Sequence, residues 1–203
     1  ATEIPFVAAG SWTFHDVQRW QRAVPEEIKA RVIRWPVENA AGDIAFSALG
    51  QLWVQRSGEA PALLSAGTGT SPAWSPDGRS LAWTSWQDCD RKNPDPAAEF
   101  EDCGGRLHVT RGKKTDTLPL DGLLVNPAWS PSGDRIVVLR GVGGSSSPDL
   151  GAQPWYEVVR LDRTKKGWVP TVLGSTNVST FRAPRLTVVN GRVYWAEARS
   201  TRP

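Results

Sequence analysis

Short stretches in which apolar and polar residues alternate make up most of the chain, and turn-forming residues separate them. A period of two, together with β-branched and aromatic residues, is typical of strands that bury one face. The connections are short and polar, which favours antiparallel hairpins. This pattern predicts six strands, over residues 79–84, 106–110, 115–118, 135–139, 156–161 and 168–173.

One helical segment is predicted, over residues 25–31, where Pro25 stands before two glutamates. Proline is tolerated in the first turn of a helix, and acidic residues there complement the positive end of the helix dipole. Because this segment is only one or two turns long, the chain as a whole is predicted to be all-β.

A seven-residue motif occurs twice, as PAWSPDG at residues 72–78 and as PAWSPSG at residues 127–133. Weaker copies begin at Pro36 and Pro184, so successive prolines are 36, 55 and 57 residues apart. A propeller blade takes roughly 40–45 residues, and the two longer steps therefore contain inserts. The shared residues define a repeat core, namely Pro72, Trp74, Asp77, Gly78, Pro127, Trp129 and Gly133.

Each repeat is expected to form four antiparallel strands, with the Ser-Pro-Asp-Gly turn joining the first two. A four-stranded sheet with two apolar faces is not stable alone, whereas stacking such sheets around an axis buries both faces. The predicted fold is therefore a β-propeller of four-stranded blades, incomplete in this chain. Its parts are the end of a preceding blade and a linker with the short helix (1–33), three blades (34–69, 70–122 and 123–180) and the start of a further blade (181–203).

The inserts are predicted over residues 87–104 and 141–154. The second is rich in Gly, Ser and Pro, and we expect a flexible loop there. The first contains Cys89 and Cys103, for which we expect a disulfide that closes the loop in an oxidising compartment. Zinc is the less favoured alternative for this pair, because few further ligands lie nearby.

Carboxylates crowd the first insert, and we assign them to a candidate interaction loop. Hard cations bind clustered carboxylates, so calcium is a conceivable ligand, although the spacing matches no EF-hand. A pair of glycosidase carboxylates is the other alternative, and a solvated acidic loop is favoured over both. These residues are Asp88, Asp90, Glu99, Glu101 and Asp102.

Residues for catalysis are scarce. The chain has no Gly-x-Ser-x-Gly motif and only two histidines, His15 and His108, too few for a hydrolase metal centre. His108 occupies a third-strand position that holds tryptophan in the preceding repeat, which favours a structural role. His15 and Asp16 are adjacent, so in a strand their side chains point apart. We predict no catalytic, cofactor-binding or metal site in this segment.

Tryptophan carries most of the aromatic content, with eleven residues against five Phe and two Tyr. A sugar or cofactor platform is one interpretation of Trp74 and Trp129. Packing between neighbouring blades is favoured, because the tryptophan recurs once per repeat at the same position.

The charge adds little to this picture. Lys and Arg exceed Asp and Glu by 24 to 21, but they are scattered, and no nucleic-acid-binding motif is present. No apolar run approaches the roughly 20 residues needed to span a bilayer. Neither nucleic acid nor a membrane span is therefore expected.

The motifs at 72–78 and 127–133 resemble the TolB-type propeller repeat, Pro-x-Trp-Ser-Pro-Asp-Gly followed by a short apolar strand. That repeat also occurs in prolyl-oligopeptidase-type peptidases and in the N-terminal region of a group of bacterial amidohydrolases. The chain also resembles this last group in the amino-acid sequence and the order of further segments, over residues 24–28, 34–36, 48–54, 82–88, 126–130 and 137–141. The chain departs from the pattern at Ser132, where aspartate is usual.

The resemblance implies a non-catalytic part of a larger periplasmic or secreted hydrolase, with any metal in a separate catalytic domain. Its partners would be the remaining blades and that domain. The alternatives are a stand-alone TolB-type interaction scaffold and the propeller gate of a serine peptidase. A closed propeller needs far more than three blades' length, and the chain has no Met. We therefore expect a segment of a longer array.

Overall fold

The computed structural model describes residues 29–65, 67–86, 105–147, 151–177 and 186–195. These residues form thirteen strands and contain no helix. All pairings between neighbouring strands are antiparallel. The strands are β1 Arg34–Glu38, β2 Ile44–Ala48, β3 Gln51–Gln55, β4 Ala62–Leu63, β5 Thr70–Trp74, β6 Ser80–Trp86, β7 Gly105–Arg111, β8 Lys114–Trp129, β9 Arg135–Ser147, β10 Gly151–Thr164, β11 Gly167–Asn177, β12 Leu186–Val189 and β13 Arg192–Trp195.

The first four strands form one sheet in the order β1-β2-β3-β4, which is the blade architecture expected from the sequence. The next seven form a single sheet in the order β11-β10-β9-β8-β7-β6-β5. Strand β8 is shared, because its first half pairs with β7 and its second half with β9. The seven-stranded sheet thus contains two four-stranded blades that meet within β8.

Gly122 marks the change of partner along β8, with a φ of 122° that disfavours any side chain. A Cβ added there would also lie 3.1 Å from the Arg140 side chain. The blade boundary predicted between residues 122 and 123 therefore falls inside a continuous strand.

Three apolar clusters lie between successive blades. Leu52, Leu81 and Trp83 belong to the cluster between the first and second blades. Leu107, Leu124 and Val159 belong to the larger cluster between the second and third blades. The third cluster packs Leu186 and its neighbours in the β12–β13 hairpin against Val137, Leu139, Tyr156 and Val158 of the third blade. Each blade thus buries apolar side chains against the next blade in the sequence.

All six predicted strands are confirmed, each lying within or overlapping an observed strand. The prediction of a flexible loop over residues 141–154 is wrong. Residues 141–147 extend β9, residues 151–154 extend β10, and the two extensions pair with each other. Their backbones pair despite the Gly- and Ser-rich composition. The last three residues of the predicted helix, 29–31, have no regular structure, and residues 25–28 lie outside the described residues. Among the residues described, no helix has the length and apolarity needed for a membrane span.

Candidate functional site

The repeated tryptophan forms a hydrogen bond from the second blade to the first and from the third blade to the second. Trp74 Nε1 donates a hydrogen bond to the Val37 carbonyl oxygen in the first blade, at 3.2 Å. Trp129 Nε1 donates to the Ala73 carbonyl oxygen in the second blade, at 2.9 Å. The acceptor follows the repeat proline in both cases, so the contact recurs between equivalent atoms. This geometry agrees with a packing role for both tryptophans.

The repeat prolines lie in β-bulges of the first strand of each blade. The register of pairing shifts across Pro36, Pro72 and Pro127. The residue before each proline has a positive φ, 50° at Trp35, 49° at Ser71 and 53° at Asn126. Proline cannot donate a ladder hydrogen bond, and a bulge accommodates that loss.

The Ser-Pro-Asp-Gly turn is held by its own polar atoms. Ser75 Oγ donates to Asp77 Oδ1 at 2.6 Å, and the Arg79 N–H donates to the same oxygen at 3.1 Å. Gly78 supplies the positive φ of 65°. The hydrogen bond from Ser75, followed by that from the Arg79 N–H, holds the pKa of Asp77 below its usual range. The Asp77 carboxylate therefore acts within the turn.

The second turn keeps this network with a different carboxylate. Ser132 replaces the usual aspartate, and its hydroxyl donates to Asp134 Oδ1. Ser130 Oγ also donates to Asp134 Oδ1, at 3.0 Å, and Gly133 has a φ of 73°. The hydrogen bonds from Ser132 and Ser130 hold the pKa of Asp134 below its usual range. Asp134, two residues further along, thus supplies the carboxylate that Asp77 supplies in the first copy.

In the weaker first copy of the motif, Asn39 stands at the position that Ser75 and Ser130 hold in the other two copies. Asn39 Oδ1 accepts hydrogen bonds from the N–H groups of Ala41 and Asp43, each at 2.9 Å. Asn39 Nδ2 also donates to the Gly78 carbonyl oxygen at 3.1 Å, which bridges the turns of the first two blades. Burial opposes ionisation of Asp43, but hydrogen bonds from Arg56, Ser57 and Asn39 together lower its pKa.

His108 lies in a polar group that sequence reasoning did not find. Its Nε2 is 2.8 Å from Ser85 Oγ and its Nδ1 is 3.1 Å from Thr117 Oγ1, while the ring stacks on Trp83 with centroids 4.2 Å apart. Burial, with a smaller contribution from the charge of Arg106, lowers the pKa of His108. The alternation of strands β6, β7 and β8 places these groups on one face, and only the strand register could have revealed that.

The arrangement around His108 has the serine–histidine contact of a hydrolase but a different third group. In a catalytic triad a carboxylate orients the histidine and stabilises the imidazolium that forms. Here the hydroxyl of Thr117 occupies that position, and it cannot provide a compensating negative charge. The geometry fits a neutral imidazole held between two hydroxyl groups.

A cleft of about 510 Å³ opens between the turns of the second and third blades. Two indole rings line it, those of Trp129 and Trp168, with centroids 6.1 Å apart and planes at 70°. Its charged lining residues are Asp77, Arg111, Asp116 and Arg163. Trp168 was not predicted as part of a site, because it lies outside the repeated motif.

The predicted disulfide partners, Cys89 and Cys103, lie outside the described residues. The same holds for His15 and for the candidate interaction loop (Asp88, Asp90, Glu99, Glu101 and Asp102). Within the described ranges, no group of three or more His, Cys, Asp or Glu side chains could hold a metal ion.

No family model and no curated protein matches this chain. Solved structures do match it. TolB from Acinetobacter baumannii is 17% identical with a TM-score of 0.55, over 82% of this chain and 38% of that one. Dipeptidyl peptidase 4 from Porphyromonas gingivalis is 13% identical with a TM-score of 0.51, over 85% of this chain and 32% of that one.

The chain thus spans between about a third and two fifths of the length of these two proteins. Identities this low establish a shared fold only. Four-stranded antiparallel sheets, stacked in sequence order and tied by a repeated tryptophan, agree with that likeness. The described part of the chain has the fold of an incomplete TolB-like β-propeller.

Proposed function

We propose that this chain is a non-catalytic propeller segment of a larger bacterial hydrolase, where it scaffolds or shields a catalytic domain located elsewhere. An amidohydrolase is the proposed parent, on the ordered sequence similarities over residues 24–28, 34–36, 48–54, 82–88, 126–130 and 137–141. The match to part of a dipeptidyl peptidase supports the proposal of a propeller segment within a longer hydrolase, because that protein is a hydrolase by name and much longer than this chain.

The stacking of the blades supports the proposal of a segment within a longer propeller. Each blade buries its inner cluster against the next, but the β12–β13 hairpin presents a second face that remains exposed in the described structure. Val189 and Tyr194 on that face are 45% and 52% exposed. A further blade would cover such a face, as the hairpin covers the third blade.

The group around His108 also supports a scaffold. Its third member is a threonine hydroxyl, and its histidine is held neutral by burial. A general base of this kind lacks the carboxylate that would stabilise its protonated form.

The test is hydrolysis by the isolated chain. Residues 1–203 should hydrolyse neither p-nitrophenyl acetate nor an acyl-p-nitroanilide faster than a matched sample of the His108→Gln variant. A rate above the blank that disappears on either His108→Gln or Ser85→Ala substitution would overturn the proposal.

The second candidate is a stand-alone protein-interaction scaffold, which the TolB match favours. The two candidates differ in what accompanies the chain in its native source. Cross-linking followed by mass spectrometry should find a catalytic domain, on the same polypeptide or a tightly associated one, if the first proposal is correct. Finding the chain alone with a non-enzymatic partner would instead support the scaffold.

The proposed compartment is the periplasm or the exterior, and its basis is the cysteine pair in the 87–104 insert. Calcium at the acidic residues of the same insert is a further proposal. Isothermal titration with Ca²⁺ tests it, and an Asp88→Asn, Asp90→Asn double variant should lose any heat of binding.

A further inference from the structure

The interfaces between blades one and two and between blades two and three are built from equivalent turns, but the side chain that faces the next turn differs between them. At the first interface, Asn39 Nδ2 donates a hydrogen bond across to the Gly78 carbonyl oxygen, and the cleft there has a volume of only about 150 Å³. The residues that correspond to these at the second interface are Ser75 and Gly133. Ser75 is shorter, and its hydroxyl is engaged within its own turn by Asp77 and by the Ser80 N–H. The second interface therefore lacks the side-chain bridge and contains the 510 Å³ cleft.

Two indole rings form a corner of this cleft. The ring planes of Trp129 and Trp168 meet at 70°, and both side chains are half-buried against the apolar cluster behind them. The indole N–H of Trp129 is already committed to the Ala73 carbonyl oxygen. What these residues offer to the cleft is therefore apolar aromatic surface in a fixed orientation.

The cleft also offers two cationic donors, one of which, Arg111, is close enough to Asp77 for its charge to help lower the pKa of that carboxyl group. Arg111 and Arg163 line it, are exposed, and form no ion pair among the residues described. The backbone N–H of Arg163 donates to the Asp134 carbonyl oxygen at 2.8 Å, which fixes that residue against the third blade's turn. Two guanidinium groups lining one cleft favour a ligand that carries a carboxylate or similar anion.

The acidic residues of the cleft set a second requirement. Asp116 is 56% exposed and lies 2.9 Å from Lys114 Nζ, while Asp77 is held in its turn. A carboxylate accepts hydrogen bonds but cannot donate them, so a ligand beside it must carry donors. The hydroxyl groups of Ser80 and Ser132 also line the cleft. The lining thus suits a ligand with both donors and an anionic group.

We propose that the cleft between the second and third blades binds a saccharide that carries carboxylate groups, that is, a uronic-acid oligosaccharide. The apolar face of a sugar ring packs on the indole of Trp168 or Trp129. The carboxylate of the sugar accepts hydrogen bonds from Arg111 and Arg163, and its hydroxyls donate to Asp116. A single-stranded nucleic acid also stacks on aromatic rings, and the thymidine trinucleotide in the test below distinguishes it from the saccharide. This binding site is independent of the proposed scaffold role.

The test titrates the full chain with tri-galacturonate as the probe, followed by calorimetry and by the indole N–H signals in a ¹H–¹⁵N spectrum. Tri-galacturonate should bind and shift the Trp129 and Trp168 indole signals. Arg163→Gln should weaken binding by about tenfold, the loss of roughly one charge-assisted hydrogen bond. Arg192→Gln, on the exposed face of β13, is the matched control and should leave the affinity within about twofold.

Ser75→Asn is the sharper variant, because it introduces at the second interface the side chain that bridges the first. It should narrow the cleft towards the volume at the first interface and reduce both the affinity and the Trp168 shift, while a far-ultraviolet spectrum and melting curve like those of the wild type show that the fold is kept. Asn39→Ser should leave tri-galacturonate binding unchanged.

Three outcomes would overturn the proposal. They are no binding of tri-galacturonate at millimolar concentration, binding that survives both Arg163→Gln and Ser75→Asn, and equal affinity for maltotriose, tri-glutamate or a thymidine trinucleotide. Equal affinity for maltotriose would remove the role of the guanidinium groups. Preference for tri-glutamate or the trinucleotide would assign the cleft to a peptide or a nucleic acid instead.

Discussion

Replacing Trp129 by phenylalanine removes a hydrogen bond between blades while keeping an aromatic ring in place. In the wild type, Trp129 Nε1 donates to the Ala73 carbonyl oxygen at 2.9 Å across the interface. Removing one partner of such a bond costs about 1–3 kcal/mol where the remaining group stays buried. Ala73 and Trp129 are only half-buried, so we expect the lower part of this range, about 1–2 kcal/mol.

The matched control is Trp53→Phe. Trp53 Nε1 donates to the Ala48 carbonyl oxygen at 3.1 Å, which is the same chemistry inside a single blade. Urea denaturation measures the free energy of unfolding for each variant, and hydrogen exchange measures how the loss is distributed. Trp129→Phe should lower protection on both sides of its interface, in β5–β7 and β9–β11, whereas Trp53→Phe should affect β2–β4 first.

Two results would refute this reasoning. One is a free energy of unfolding for Trp129→Phe within about 0.3 kcal/mol of the wild type, since a measurable loss is expected from an interface hydrogen bond. The other is the same pattern of exchange for both variants, which would mean that the indole does not couple the blades.

Three further predictions concern the turns, His108 and the cysteines. Asp134→Ala and Asp77→Ala should each lower the midpoint of urea denaturation, because each removes a hydrogen-bond acceptor from its turn. Both carboxylates have lowered pKa values in the folded protein. Their contribution to stability is therefore fully present above the ordinary aspartate pKa of about 3.9 and is lost as pH falls through the folded values, and each alanine variant should lack that loss. The pKa of His108 lies below 6.5, so the unfolded state takes up the proton first. Stability should therefore fall as pH drops below 6.5, and His108→Gln should flatten that dependence; an NMR titration of His108 with a midpoint above 6.5 would contradict the sign. Cys89 and Cys103 should resist thiol labelling without reductant and react after it, and free thiols in the native protein would exclude the disulfide.

The fold class could be predicted from the sequence because it depends on local periodicity and on repetition. Alternation fixes which residues face a neighbouring sheet, and PAWSPDG recurs where the bulge and turn recur. The turn glycines were predictable as well, since Gly78 and Gly133 both need a positive φ.

The details of the sites depended on residues that come together only through strand register. Ser85, His108 and Thr117 are on three different strands, and the sequence separation between them carries no signal. The replacement of the turn carboxylate by Asp134 was hidden because it lies two residues beyond the motif position held by Ser132.

The hairpin over residues 141–154 shows a limit of another kind. Its Gly, Ser and Pro content favours a loop by local propensity, yet the backbone of β9 and β10 continues to pair well beyond the blade. Backbone pairing that extends an existing ladder does not depend on side-chain propensity. Composition therefore predicted the wrong structure for this insert.

Successive blades are held together through hydrogen bonds from the repeated tryptophans. Nuclear Overhauser effects from the two indole N–H protons test these hydrogen bonds most directly. We predict contacts from the Trp129 indole proton to Ala73 and from the Trp74 indole proton to Val37, both between blades. Indole protons that contact only residues of their own blade would contradict the stacked arrangement.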